Sequence, residues 1–159
     1  MHYLIDGYNL LFRIPSEQKL SLKKRREALI EFLGDELRGI KGTLSIIFDS
    51  SEQIRDFPQV ALSKNLEVIY APKGRTADEY IIEMVEVSKN PKVLTVVSSD
   101  NGLSGQCRHL GAQTQSIEEF LAFAEKKQGR STSSKPNYRE TSSHIERLRK
   151  IFEEKLEKE

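Results

Sequence analysis

The chain has 159 residues, 37% of them hydrophobic, and its 25 Lys and Arg against 24 Asp and Glu leave a net charge of +1. That length suits one ordinary domain with room for a tail, and a core of this size needs no disulfide or structural metal. The single cysteine, Cys107, excludes an internal disulfide framework, and no apolar run approaches the roughly 20 residues of a membrane-spanning helix. The apolar start breaks at Asp6 without a charged leader, so no signal peptide is expected and the expected location is the cytoplasm.

In chain order, His2 to Ile5 is a short apolar run that ends in Asp6-Gly7, which reads as a buried strand entering a turn. Ser21 is placed to cap a helix running to about Arg38, with Leu22, Leu29, Ile30, Leu33 and Leu37 on one face. Thr43 to Phe48 is a second buried strand, and it too ends on an aspartate, Asp49. The stretch 50–65 is ambiguous, because Pro58 argues against one long helix. Leu66 to Ala71 reads as a strand, and the capping-box pattern Thr76-Ala77-Asp78-Glu79 starts a helix to about Ser88. Val93 to Val97 is a strand followed by Ser98-Ser99-Asp100, and a short helix then ends at Gly111, a residue suited to cap it. Ala112 to Gln115 is a last short strand, and Ser116 to Glu119 opens a helix to about Lys127. Residues 128–143 read as a flexible basic linker, and 144–159 regain helical periodicity through Ile145, Leu148, Phe152 and Leu156.

Short apolar strands alternating with helices predict an α/β fold, a mostly parallel sheet of about five strands with helices on both faces. Ligands of such sheets bind outside the carboxyl ends of the strands. Asp6, Asp49 and Asp100 all stand where a strand ends, and Asp78 opens a helix on the same edge, so the four are expected in one crevice. Like charges gathered there require protons or a cation, and oxygen ligands suit Mg²⁺ or Mn²⁺ rather than zinc. One ion, or two about 4 Å apart, would serve phosphoryl-transfer chemistry. Each residue also has a plainer reading. Asp78 lies in a first helical turn, where any acid is favoured. Glu79 is the capping partner of Thr76, Asp49 a turn or cap, and Asn9 either a support for Asp6 or a local backbone contact. His2, His109 and His144 have no evident nucleophilic partners, Cys107 reads as core, and no phosphate-cradling glycine loop or Cys/His zinc spacing occurs.

Ile5-Asp6-Gly7-Tyr8-Asn9, Ile47-Phe48-Asp49, Thr76-Ala77-Asp78-Glu79 and Val97-Ser98-Ser99-Asp100, in that order, resemble the signature set of NYN domains in the YacP-like branch of the PIN-like nucleases. Gly111-Ala112 and Ser116-Ile117-Glu118-Glu119-Phe120 extend the resemblance, which covers about residues 1 to 125. It implies a PIN-like three-layer sandwich and a Mg²⁺- or Mn²⁺-dependent ribonuclease, with some family members cleaving messenger RNA at the ribosome. By position, Asp6, Asp78 and Asp100 match the acidic metal-binding centre, and Asp49 matches a further acidic position. The expected organisation is a nuclease domain at 1–127, then the linker and terminal helix, where the chain departs from the family pattern.

RNA is the expected partner. Lys73 and Arg75, in the loop before Asp78, are placed to hold phosphates, as is Arg13, and Tyr8 is placed to stack on a base. Each also reads as ordinary surface or packing. Lys23-Lys24-Arg25-Arg26 reads as the polar face of its helix. Between Lys126 and Lys150, eight Lys and Arg against two Glu make a local excess of +6 that suits an anionic partner. The terminal helix, under 20 residues, is expected to be ordered only when docked. The competing reading is a non-catalytic RNA- or ribosome-binding module on the same scaffold. A phosphatase with an aspartyl nucleophile is disfavoured because residue 8, where a second aspartate belongs, is tyrosine.

Overall fold

A computed structural model describes residues 1–14, 21–49, 59–63 and 65–127. The linker and terminal helix expected from residue 128 lie outside the described residues. In chain order the elements are β1 (His2–Asp6), α1 (Gly7–Arg13), α2 (Leu22–Glu36), β2 (Thr43–Phe48), β3 (Gln59–Ser63), β4 (Leu66–Tyr70), α3 (Ala77–Val87), β5 (Leu94–Val97), α4 (Asn101–His109), β6 (Gln113–Gln115) and α5 (Ile117–Lys127). A short 3-10 turn, Pro91–Val93, leads into β5.

The strands form one six-stranded sheet in the order β3-β4-β2-β1-β5-β6, parallel throughout except for β3, which runs antiparallel to β4. The sequence led to about five strands. The sixth, β3, falls in the stretch left ambiguous, and its exposed Val60 and Leu62 lack the continuous burial of an interior strand. A second difference concerns Asp6-Gly7. No turn follows β1 there: Asp6 caps α1 and Gly7 is already its first residue.

Side chains alternate across the sheet and divide the core into two layers. Tyr3 and Ile5 of β1, with Leu44, Ile46 and Phe48 of β2, pack against α1, α2 and α5. Leu4, Ile47, Leu94 and Val96 face α3 and α4 instead. The three-layer arrangement expected of the chain is therefore present. Continued to the strand ends, the alternation puts Asp6, Asp49 and Ser98 on the α3/α4 side. Across the far end of that layer, the His2 ring and the Ser45 hydroxyl lie 2.7 Å apart, and Ser45 donates to Glu67 at 3.3 Å. Burial lowers the His2 pKa, with the Glu67 charge acting against it.

The helix starts behave as their sequences indicate. Ser21 accepts from the Lys24 N–H, Thr76 from that of Glu79 and Ser116 from that of Glu119. Gly111, at φ 104°, ends α4 with Gly111 N–H donating to the Arg108 carbonyl and Ala112 N–H to that of Cys107. The basic run at the start of α2 differs from expectation. Arg26 is only 5% exposed, not part of a solvated face; its guanidinium lies over the rings of Phe48 and Tyr70 and donates to the Tyr8 hydroxyl at 3.0 Å.

Candidate active site

The strand order reverses at β1: β2 lies on one side of it and β5 on the other. The crevice outside the carboxyl ends of β1 and β5 is therefore the switch point at which such sheets take ligands. Asp6 ends β1, and Ser98-Ser99-Asp100 follows β5.

Asp6 is 7% exposed. Its carboxylate accepts from the Asn9 N–H at 3.5 Å and from the Ser98 hydroxyl at 3.3 Å. Burial pushes its pKa up to about 7, the nearby charges of Asp78 and Asp49 add to the shift, and the two hydrogen bonds oppose it. Asp78, half-buried in the first turn of α3, is also raised, by burial first and then by Asp100, with Asp49 and Glu79 contributing. Its hydrogen bond with Asp6 acts in the opposite direction. The two carboxyls therefore behave as one unit that keeps a proton near neutrality when no cation is present.

Asp49 and Asp100 hold the frame around this pair. Asp49 Oδ1 accepts the Ala77 N–H at 2.7 Å, fastening the start of α3, and hence Asp78, to the end of β2. The cap anticipated at Asp49 is real, and it acts on a helix start 28 residues away. Asp100 Oδ1 caps α4 through the amides of Gly102 and Leu103, at 2.8 and 3.2 Å. Each thus uses one carboxylate oxygen, Oδ1, on a helix start. Glu79 is exposed and serves the capping box with Thr76.

Three residues not singled out as site residues tie the crevice together. Ser98, 2% exposed, donates to Asp6 and accepts the Asp100 N–H at 3.1 Å. Ser99 N–H donates to the Asn9 side-chain oxygen at 2.8 Å, and the Ser99 hydroxyl donates to Glu118 at 3.1 Å. Glu118 in turn pairs with Arg13 at 3.2 Å. Asn9 therefore locks α1 to the turn after β5. These residues all lie in or beside the quoted motifs, but their pairings span up to 92 positions and leave no periodic trace in the sequence.

Of the proposed phosphate contacts, Arg75 pairs with Glu83, whereas Lys73 is exposed beside it. The Tyr8 ring stacks on Phe12 and meets Phe48 edge-on. Cys107 is fully buried with its thiol pushed up to about 11, first by burial and then by Asp78, so it is no nucleophile.

Among the described residues, no three His, Cys, Asp or Glu side chains converge as a ready-made metal cage. The donor chemistry nevertheless suits a hard divalent cation. The groups placed at the crevice are carboxylates, serine hydroxyls and the Asn9 amide, and the burial and neighbouring carboxylates that raise Asp6 and Asp78 are what such a cation offsets. Asp6 and Asp78, with Asp100, are the residues that could hold it.

Fold and site together define an α/β domain with an acidic crevice at its topological switch point. The chain belongs to the YacP-like NYN domain family, a nuclease-type family whose match spans residues 3–159. The match therefore reaches well beyond residue 125, where the recognisable motifs end, and takes in the C-terminal stretch. Two crystal structures of Rae1 (YacP) from Bacillus subtilis have a similar fold. One, a point mutant, is 20% identical with a TM-score of 0.63, over 96% of this chain and 98% of that one. The other is 22% identical with a TM-score of 0.59, over 98% of this chain and 83% of that one. No curated protein matches the chain. No helix among the described residues is long and apolar enough to cross a membrane.

Proposed function

We propose that this chain is a Mg²⁺- or Mn²⁺-dependent endoribonuclease of the cytoplasm. The observation that carries the reading is the Asp6–Asp78 pair, two carboxyls held above their usual range at the switch-point edge of a nuclease-type fold. Asp6, Asp78 and Asp100 would hold one or two cations, whose chemistry is to activate water and stabilise the leaving oxygen of a phosphodiester. Asp49 keeps Asp78 in place through α3, and Asn9 fastens the turn after β5 to α1. Lys73, exposed in the loop before Asp78, would hold an RNA phosphate without reading sequence, and Arg75 and Arg13 would join it by exchanging Glu83 and Glu118 for phosphates. A binder without catalysis would gain nothing from a buried carboxyl pair facing phosphates.

Messenger RNA on the ribosome is the proposed setting. The basic excess between Lys126 and Lys150 supports an RNA-rich partner, and co-sedimentation with ribosomes checks it. The alternative, a non-catalytic RNA binder, draws support from Asp49 and Asp100 serving as helix caps. End-labelled single-stranded RNA incubated with Mn²⁺, Mg²⁺ or EDTA separates the readings. Cleavage in either metal and none in EDTA is expected. Equal cleavage in EDTA would overturn the metal-dependent mechanism, and binding without cleavage in any condition would establish the binder.

A further inference from the structure

Tyr8 is the aromatic residue that the sequence offers for stacking on a base, yet its ring is an inner member of a packed aromatic column. Phe12 stacks on Tyr8 with centroids 5.9 Å apart and planes 17° apart; Tyr8 meets Phe48 at 5.1 Å, and Phe48 stacks on Tyr70 at 5.8 Å. The Arg26 guanidinium lies over the rings of Phe48 and Tyr70. The outer end of the column is Phe12, which is 61% exposed. A large ring held this firmly yet left facing water is unusual for a residue whose job is packing.

The cation beside it is also uncommitted. Arg25 in α2 places its guanidinium 5.9 Å from the Phe12 ring centroid. Its Nε is buried without a hydrogen-bond partner, and it forms no ion pair among the described residues. Lys23 and Lys24 are exposed on the same turn. An exposed ring with a free guanidinium against it is what one nucleotide of a single strand requires, the ring for the base and the cation for the phosphate. The pair belongs to the α1/α2 layer, on the other face of the sheet from α3 and α4. Phe12 stands six residues after Asp6, the cap of α1, which at the helical rise is about 9 Å along the axis.

We infer that Phe12 and Arg25 form a nucleotide subsite on the α1/α2 face that stacks an unpaired RNA base at a distance from the carboxylates, making single-stranded RNA the substrate form this protein selects. The inference rests on the ribonuclease reading for its substrate, but the two can fail separately. Ring stacking discriminates single strands from duplexes because bases inside a duplex already stack on one another.

The test is the affinity of the full chain for a fluorescein-labelled single-stranded RNA and for its duplex, by anisotropy in EDTA so that no cleavage intervenes. Phe12→Ala and Phe12→Leu are expected to weaken single-strand binding by roughly 5- to 100-fold, with duplex binding little changed. Phe12→Tyr keeps the ring and should bind as the wild type does. Arg25→Ala should lower the slope of log affinity against log salt by about 1. Unchanged single-strand binding by Phe12→Ala, equal losses on duplex and single strand, or no RNA binding by the wild type would each overturn the subsite. Weakened binding by Phe12→Ala in a protein that cleaves no RNA would retain the subsite and reject only the nuclease.

Discussion

Replacing Asp6 with Asn is expected to stabilise the metal-free protein at neutral pH while abolishing RNA cleavage. The folded chain holds the Asp6 proton up to about pH 7, whereas an unfolded chain releases it near the ordinary carboxyl value of 3.8. Folding is thus assisted by this group below about pH 4, and the assistance disappears as the pH rises towards 7. The cost of deprotonating the folded carboxyl is shared with Asp78 and is on the order of a few kcal/mol. Asparagine carries no charge at any pH, and its amide can donate to Asp78 where the carboxyl proton did. The Ser98 hydroxyl must then reorient, so the net gain at pH 7 is put at roughly 1–3 kcal/mol. Denaturant unfolding in EDTA across pH 4 to 7 reads the effect directly. The variant should match the wild type at the acid end and exceed it increasingly towards neutrality. A variant less stable at pH 7, or a difference constant with pH, would contradict the assignment. Mn²⁺ should stabilise the wild type and not the variant, because only the wild type keeps the full cation site.

Gly7→Ala should be severe in both stability and activity. A Cβ at Gly7 would lie 2.5 and 2.6 Å from two ring carbons of Phe48 and 2.9 Å from the Ile47 carbonyl oxygen. Phe48 is fully buried, held between Tyr8 and Tyr70 beneath Arg26, so its ring has nowhere to swing. The Ile47 carbonyl belongs to the strand pairing in which Asp6 is the partner of Ile47. Relief must come from displacing α1, which carries Asn9 and is capped by Asp6 itself. Overpacking of this kind costs about 1–3 kcal/mol, and a site shifted by about 1 Å loses on the order of 100-fold in rate. Thermal unfolding together with single-turnover cleavage checks both. A variant with wild-type melting and rate would show that the contact is relaxed at no cost. The glycine after Asp6 is needed for the space it leaves, since its backbone is not among those in the positive-φ region.

That glycine shows where sequence reasoning reaches and where it stops. Asp-Gly after an apolar run reads as a turn, because local propensity cannot register that a phenyl ring 41 positions later occupies the space. The strand ends were legible because each apolar run breaks on a polar residue, and parallel topology then directs those residues to one edge. Thr43–Phe48 appears with the bounds its apolar run indicated. Capping boxes at Thr76 and Ser116 were legible because they are local chemistry. Strand β3 was not, since an edge strand with exposed Val60 and Leu62 beside Pro58 carries neither clean alternation nor continuous burial. Arg26 was misread because a basic run signals solvent, and only the aromatic rings packed around it reverse that signal. The sequence offers the four aspartates as a set but not the different contacts each one makes. Asp6 and Asp78 share burial and repulsion, while Asp49 and Asp100 each hold a helix start.

The account stands or falls on the Asp6–Asp78 pair as the catalytic centre. The most direct measurement is cleavage of single-stranded RNA in Mn²⁺ by the wild type, Asp6→Asn and Asp78→Asn, with RNA binding measured on the same preparations. Each substitution should lower the rate by about 100-fold or more while leaving binding within a few-fold of the wild type. Cleavage by both variants at the wild-type rate would place the chemistry elsewhere in the molecule.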